Sequence, residues 1–156
     1  MITSFSLADV VRACSVWGKD LKFIPERIDP VQLMWAFANK ESTHEKPGFF
    51  GCIPRFEPAY FTGGRYAMND QMRILLSVFG RDAACSYGPW QVMLVNAPTW
   101  KPSDFDHIDI CSEAFVNFLN QRSKKRAPQT LTEFGELYNG GHIDMPLEQP
   151  LPQVGE

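Results

Sequence analysis

No apolar run in this sequence approaches the length that spans a bilayer. The stretch from Met1 to Asp20 lacks the basic start, unbroken apolar core and small-residue cleavage site of a secretory signal. Asp9 and Arg12 interrupt it, so it is expected to be a helix of the mature fold. Neither charge dominates: 15 Lys and Arg against 18 Asp and Glu leave a formal net charge of -3, which gives no electrostatic case for nucleic acid. Cys14, Cys52, Cys85 and Cys111 are scattered, and without a signal peptide they are expected to be reduced core residues rather than a disulfide framework. No internal repeat is present.

Several chemistries are missing as well. His44, His107 and His142, taken with the cysteines, form no CxxC, HxxxH or HExxH spacing, so no metal is expected. There is no GxSxG elbow. Cys85 lies in CSYG, which matches no cysteine-protease signature, and it reads as a buried thiol rather than the partner of His142 in a dyad. Gly63-Gly64 and Gly140-Gly141 lack the spacing of a phosphate cradle, and no cofactor is expected.

What is there describes a single domain. A chain of 156 residues with 44% hydrophobic and 21% charged residues can bury a real core without disulfides or metal. Ser6 caps an expected helix through about Trp17, and Gly18 stops it. Asp29 and Pro30 open a second, nearly all-buried helix reaching Ser42, with Val31, Met34, Trp35 and Ala38 at helical spacing. From Pro47 to Tyr66 the chain is rich in Gly, Pro and aromatics, without helical period. It reads as an irregular region with one or two short strands and a turn at Gly63-Gly64, its aromatics either core residues or a carbohydrate-facing wall.

Asn69 or Asp70 starts a third helix to about Phe79, with Gly80 at its stop. A turn at Ser86 to Pro89 then leads to a short buried helix ended near Pro98. Ser103 or Asp104 starts a helix to Gln121, and the basic run Arg122 to Arg126 beyond it reads as solvated charge complementing the helix dipole. Thr130 to Glu133 fits a capping box for a last helix ending at Tyr138-Asn139-Gly140-Gly141, and the Pro-rich tail from Met145 is expected on the surface.

Among all these residues, carboxylates carry the remaining chemistry. Glu41 falls in the last turn of the Asp29 helix, where the dipole and apolar neighbours disfavour a carboxylate's charge, as a general acid requires; on this stretch alone an ordinary solvated Glu near a helix end is the better reading. Glu41 and Glu57 bracket the first half of the aromatic loop, an arrangement compatible with glycoside cleavage.

Three segments in order carry a resemblance: Glu41-Ser42 at the end of a buried helix, Gly88-Pro89-Trp90-Gln91-Val92-Met93, and Leu137-Tyr138-Asn139-Gly140-Gly141. Together they resemble the lysozyme-like superfamily, closest to lytic transglycosylases and phage-type N-acetylmuramidases. There the pattern is a Glu-Ser pair, then Gly-Leu-Met-Gln followed by an apolar residue and Met, then Ala-Tyr-Asn-Ala-Gly. The likeness spans about Val31 to Gly141.

It implies a mainly α, two-lobed lysozyme-like (α+β) domain whose small irregular or β lobe, Pro47 to Tyr66, flanks a glycan cleft. It implies Glu41 as general acid, Ser42 shaping the glycan's neighbourhood, and Gln91 facing the cleft. Tyr138 would hydrogen-bond near Glu41, and Asn139 would hold the late turn or bind sugar. Pro89-Trp90 stands where Leu-Met is usual and places Trp90 at a subsite wall. Arg55-Phe56-Glu57 resembles a Phe-Glu stretch of some phage-type muramidases, but Ala59 replaces a histidine often found two residues after that Glu. Glu57 is therefore either a second carboxylate or a structural partner of Arg55.

The resemblance implies cleavage of the β-1,4 bond between N-acetylmuramic acid and N-acetylglucosamine in peptidoglycan, with glycan strands as partner and no membrane insertion. A non-catalytic glycan-binding module and a chitin- or chitosan-directed glycosidase are the alternatives. Release by phage lysis, virion delivery and specialised secretion all suit a chain without a signal peptide. The sequence names no immunity or delivery partner.

Overall fold

The structure is a computed structural model that describes residues 4–42, 49–51, 54–67 and 69–139; the side chains of Ser42, Phe49 and Asn139 lie outside that set. The described chain is mainly helical, with five α-helices and a small three-stranded antiparallel sheet. The expectations for His44, Cys52, Gly140-Gly141, His142 and the tail from Met145 lie outside the described residues.

Helix α1, Leu7–Trp17, starts where the sequence places it. Ser6 Oγ accepts from the Asp9 N–H at 3.1 Å and Asp9 Oδ2 accepts from the Ser6 N–H at 3.3 Å, a reciprocal cap. At its end, Gly18 allows α1 to touch the next helix: a Cβ there would lie 2.8 Å from Val31 Cα. Helix α2, Pro30–Ser42, is capped by Asp29 Oδ1, which accepts from the Val31 N–H at 2.9 Å. Leu33, Met34, Trp35, Ala36, Phe37 and Ala38 are consecutive and all buried, so α2 is covered on every side rather than along one stripe. That makes α2 the central helix. A fully buried side chain of this size contributes about 1.5–3 kcal/mol, which fixes the end of α2 within the body.

Strand β1, Phe5–Ser6, pairs antiparallel with β2, Phe49–Phe50, and the Phe50 ring packs on Trp35 with centroids 5.7 Å apart. Strand β3, Arg55–Phe56, joins β4, Cys85–Tyr87, and β5, Val92–Met93, in the order β3-β4-β5. Between β2 and β4 lies helix α3, Asp70–Phe79, capped by Asn69 and ended at Gly80 as expected.

Two expectations are corrected. The segment after Pro89 is not a short buried helix. It is the second half of a hairpin, β5, followed by one 3-10 turn, Leu94–Asn96. The cause is the turn: Gly88 has φ +74° and Gln91 φ +52°, backbone that breaks a helix, and Gln91 N–H closes on Gly88 O at 3.1 Å. A Cβ on Gly88 would also lie 2.7 Å from Cys111 Sγ. The second correction concerns the long helix. Pro102–Asp106 forms a 3-10 turn, and α4 runs from Ile108 to Arg126, so the basic run is its last turns rather than a tail behind it. Arg and Lys are good helix formers, and α4 stops at Ala127, left-handed at φ 47° and followed by Pro128.

Helix α5, Leu131–Asn139, packs on α4. Thr130 Oγ1 accepts from the Glu133 N–H at 3.1 Å, one half of the expected capping box, while the Glu133 carboxylate accepts from the Gln129 N–H at 2.6 Å instead of closing on Thr130. Phe37, Trp90, Phe115 and Tyr138 meet at the centre, with the Trp90 and Phe115 rings 5.5 Å apart and Phe37 and Tyr138 4.7 Å apart. This cluster joins α2, the hairpin turn, α4 and α5, the elements that surround the cleft.

Candidate active site

The buried run of α2 ends on Glu41, whose side chain is only 7% exposed yet opens onto a cleft of about 770 Å³. Carboxylates are seldom buried to this degree without a cation, and Arg55 supplies one, with Nη2 3.7 Å from Glu41 Oε2. The same guanidinium reaches the second carboxylate: Arg55 Nε donates to Glu57 Oε1 at 2.9 Å. Both contacts come from one planar group, so a single guanidinium bridges the two carboxylates.

The sheet register builds the rest. Arg55 pairs with Ser86 across β3 and β4, which brings the Ser86 hydroxyl to the carboxylates. Ser86 Oγ lies 2.8 Å from Gln91 Oε1, 3.3 Å from Glu57 Oε1 and 3.4 Å from Arg55 O. A serine has one proton to donate, and the shortest contact gives it to Gln91. Gln91 Nε2 donates to Gly88 O at 2.8 Å, so both ends of its amide are held. Its left-handed backbone costs a non-glycine residue about 1–3 kcal/mol, the kind of local strain that gathers at functional sites.

Tyr138 lines the same cleft, and its hydroxyl donates to the Trp90 carbonyl. Its phenol is pushed well above the usual range, first by burial and then by the Glu41 charge, with Arg55 opposing. Tyr138 is therefore a fixed neutral donor beside Glu41, directed at the hairpin turn.

Glu41, Glu57, Gln91 and Tyr138 thus come together. Trp90 does not. Its ring is fully buried on Phe115 and its indole N–H donates to Met34 O at 2.9 Å, so Trp90 anchors the turn from inside the core instead of forming a subsite wall. Ser42 and Asn139 are placed at the ends of α2 and α5, but their side chains lie outside the described residues.

Cleft residues that the sequence reading missed come from two places. Tyr60 and Tyr66, with ring centroids 4.8 Å apart, form an aromatic pair on one wall. The Tyr60 phenol is pushed up chiefly by burial, with Tyr66 and Glu57 adding and Arg122 opposing. The aromatic richness of the loop signalled such a wall without saying which rings form it. Arg122, Lys125 and Arg126 of α4 line the cleft as well. Their spacing of three and four was the available signal, usable only with the helix extended to Arg126.

Cys14, Cys85 and Cys111 are buried free thiols. Burial pushes Cys14 up to about 12 and raises Cys85, whose thiol contacts Arg81 O at 3.7 Å, so neither offers a thiolate near neutral pH. Among the described residues no group of His, Cys, Asp and Glu is placed to hold a metal ion, and no helix is long and apolar enough to cross a membrane. No family model, curated protein or solved structure matches the chain.

Proposed function

We propose that this chain is a lysozyme-like glycosidase cleaving the β-1,4 bond between N-acetylmuramic acid and N-acetylglucosamine in peptidoglycan, with Glu41 as general acid. The observation that supports it most is the buried Glu41 carboxyl opening onto a cleft and linked through Arg55 to a second carboxylate. On this reading the helical body and the β3-β4-β5 sheet are the two lobes of a lysozyme-like fold. A strand of sugars lies between them, against Tyr60 and Tyr66.

As general acid, Glu41 gives a proton to the glycosidic oxygen as the bond to the anomeric carbon breaks. The carboxylate left behind faces Arg55, and the positive charge growing on the sugar faces two carboxylates. Glu57 then places the attacking water, and the products carry reducing ends. Gln91, held by Ser86 and Gly88, presents a fixed amide to the cleft.

One observation favours a second outcome. Glu57 is hydrogen-bonded to Arg55 and close to Ser86, which suits an anchor for Arg55 as well as a base. With Glu57 as anchor, the C6 hydroxyl of the muramyl sugar attacks the anomeric carbon itself, passes its proton to the Glu41 carboxylate left by the first step, and yields a 1,6-anhydro product. Digestion of purified peptidoglycan, read by product masses, tests both. Reducing ends that disappear with Glu57→Gln mark the hydrolase; anhydro ends with Glu57→Gln fully active mark the transglycosylase. No soluble product from wild type overturns the enzyme reading and leaves a glycan-binding module. Cleavage confined to chitin oligomers moves the substrate to that class.

A further inference from the structure

We propose that the C-terminal turns of α4 form a subsite for the carboxylates that a muramyl glycan carries beside its neutral sugar backbone. The inference rests on the glycosidase reading of the cleft and names what its second wall is for. Arg122, Lys125 and Arg126 stand at i, i+3 and i+4, so one helix face turns all three cations into the cleft that holds Glu41. None of them makes an ion pair with a carboxylate among the described residues. Glu136 of α5 shares the cleft without pairing with any of them.

Helix-dipole complementation does not account for this placement. Lys124 occupies the same last turn and gains the same dipole energy, yet it does not line the cleft. Like charges three and four residues apart repel, so the cluster costs the free protein something and returns it only when an anion arrives. Arg122 is also held in place, its guanidinium 5.0 Å from the centroid of the buried Phe118 ring.

A neutral sugar polymer has no use for three unpaired cations. An N-acetylglucosamine unit presents only hydroxyls and an amide. The muramyl unit adds a lactyl ether ending in a carboxyl group, free in peptide-stripped strands and amide-linked to a peptide stem with its own carboxylates in intact ones. The shared chemistry is a carboxylate projecting sideways from the glycan, within reach of guanidinium and ammonium donors.

The test is equilibrium binding of the full chain to three probes: soluble peptide-bearing strands, amidase-stripped strands, and a neutral N-acetylglucosamine hexamer. The triple variant Arg122→Gln/Lys125→Gln/Arg126→Gln is expected to bind the anionic strands roughly 10-fold more weakly than wild type, with hexamer binding unchanged. The strand type that loses more identifies which carboxylate is read. Lys124→Gln should bind all probes as wild type does. Wild-type binding to the anionic strands should itself weaken towards about 0.5 M salt, a readout independent of any variant's folding.

Equal binding of triple variant and wild type to the anionic strands, or an equal loss on the neutral hexamer, overturns the subsite. Cleavage is assayed separately. A chain that cleaves peptidoglycan while the triple variant binds normally loses the subsite alone. One that binds carboxylate strands through this wall and cleaves nothing loses only the glycosidase reading.

Discussion

On one side of the cleft, Arg55 pairs with both Glu41 and Glu57, and beside them Ser86 donates to Gln91, which in turn donates to Gly88 O, all rooted in the core. On the other side, Arg122, Lys125 and Arg126 are exposed and share no carboxylate among the described residues. The first wall has its geometry set before any ligand arrives, which is what proton transfer needs. The second keeps its charges without carboxylate partners, only Arg122 resting on a ring, which suits charges whose positions vary along a polymer. The difference teaches that polar residues of one cleft can be read by how far their partners are already supplied.

The contrast can be broken most severely from beneath. Trp90 holds the hairpin turn to α2 and α4, so Trp90→Ala should cost about 3–5 kcal/mol of stability by urea unfolding, as large aromatic deletions in cores do. A Trp90→Ala protein that melts like wild type would mean that the core does not set the partnered wall.

A smaller change loosens that wall alone. Ser86→Ala removes the donor to Gln91 and leaves a half-buried acceptor unmatched, with an expected loss of about 1 kcal/mol and weaker turnover at unchanged carboxylate-strand binding. Weakened binding of anionic strands with turnover intact would place Ser86 on the wrong side of the comparison.

A last effect, felt only at alkaline pH, probes the core beneath the walls. Cys14 is raised from 9.0 to about 12 in the fold, and Tyr138 is raised above 10.0. Both keep a proton in the folded chain that the unfolded chain releases: the Cys14 contribution is full below pH 9 and is lost as pH climbs towards 12, and the Tyr138 contribution is full below pH 10 and is lost only well above it. The urea midpoint should fall across that window, less steeply in Cys14→Ala and in Tyr138→Phe. An alkaline slope unchanged in both variants would contradict this origin.

Local signals made much of this fold legible. Ser6, Asp29 and Asn69 cap their helices as the sequence suggests, because a cap is decided by a few neighbouring residues. The position of Glu41 at the end of an apolar helix was legible for a similar reason, whereas its choice as a candidate acid came from the order of three short motifs. The hairpin was not. Val92 to Leu94 is a short apolar run, for which periodicity does not separate strand from helix, and pairing with the distant β3 is encoded in no single stretch. Trp90 was misplaced because a motif position says nothing about which way a ring turns. Arg55 was visible as a neighbour of Glu57, but its reach to Glu41 depends on the sheet. The cationic wall was hidden by a helix end placed at Gln121, five residues short of Arg126.

The most direct measurement compares binding with turnover for Glu41→Gln on purified peptidoglycan. The amide keeps the shape of the side chain and removes the transferable proton. The account predicts an unchanged fold, retained binding to glycan strands, and a loss of product release on the order of 10²-fold or more. A folded Glu41→Gln protein that releases the same products at the wild-type rate would contradict it.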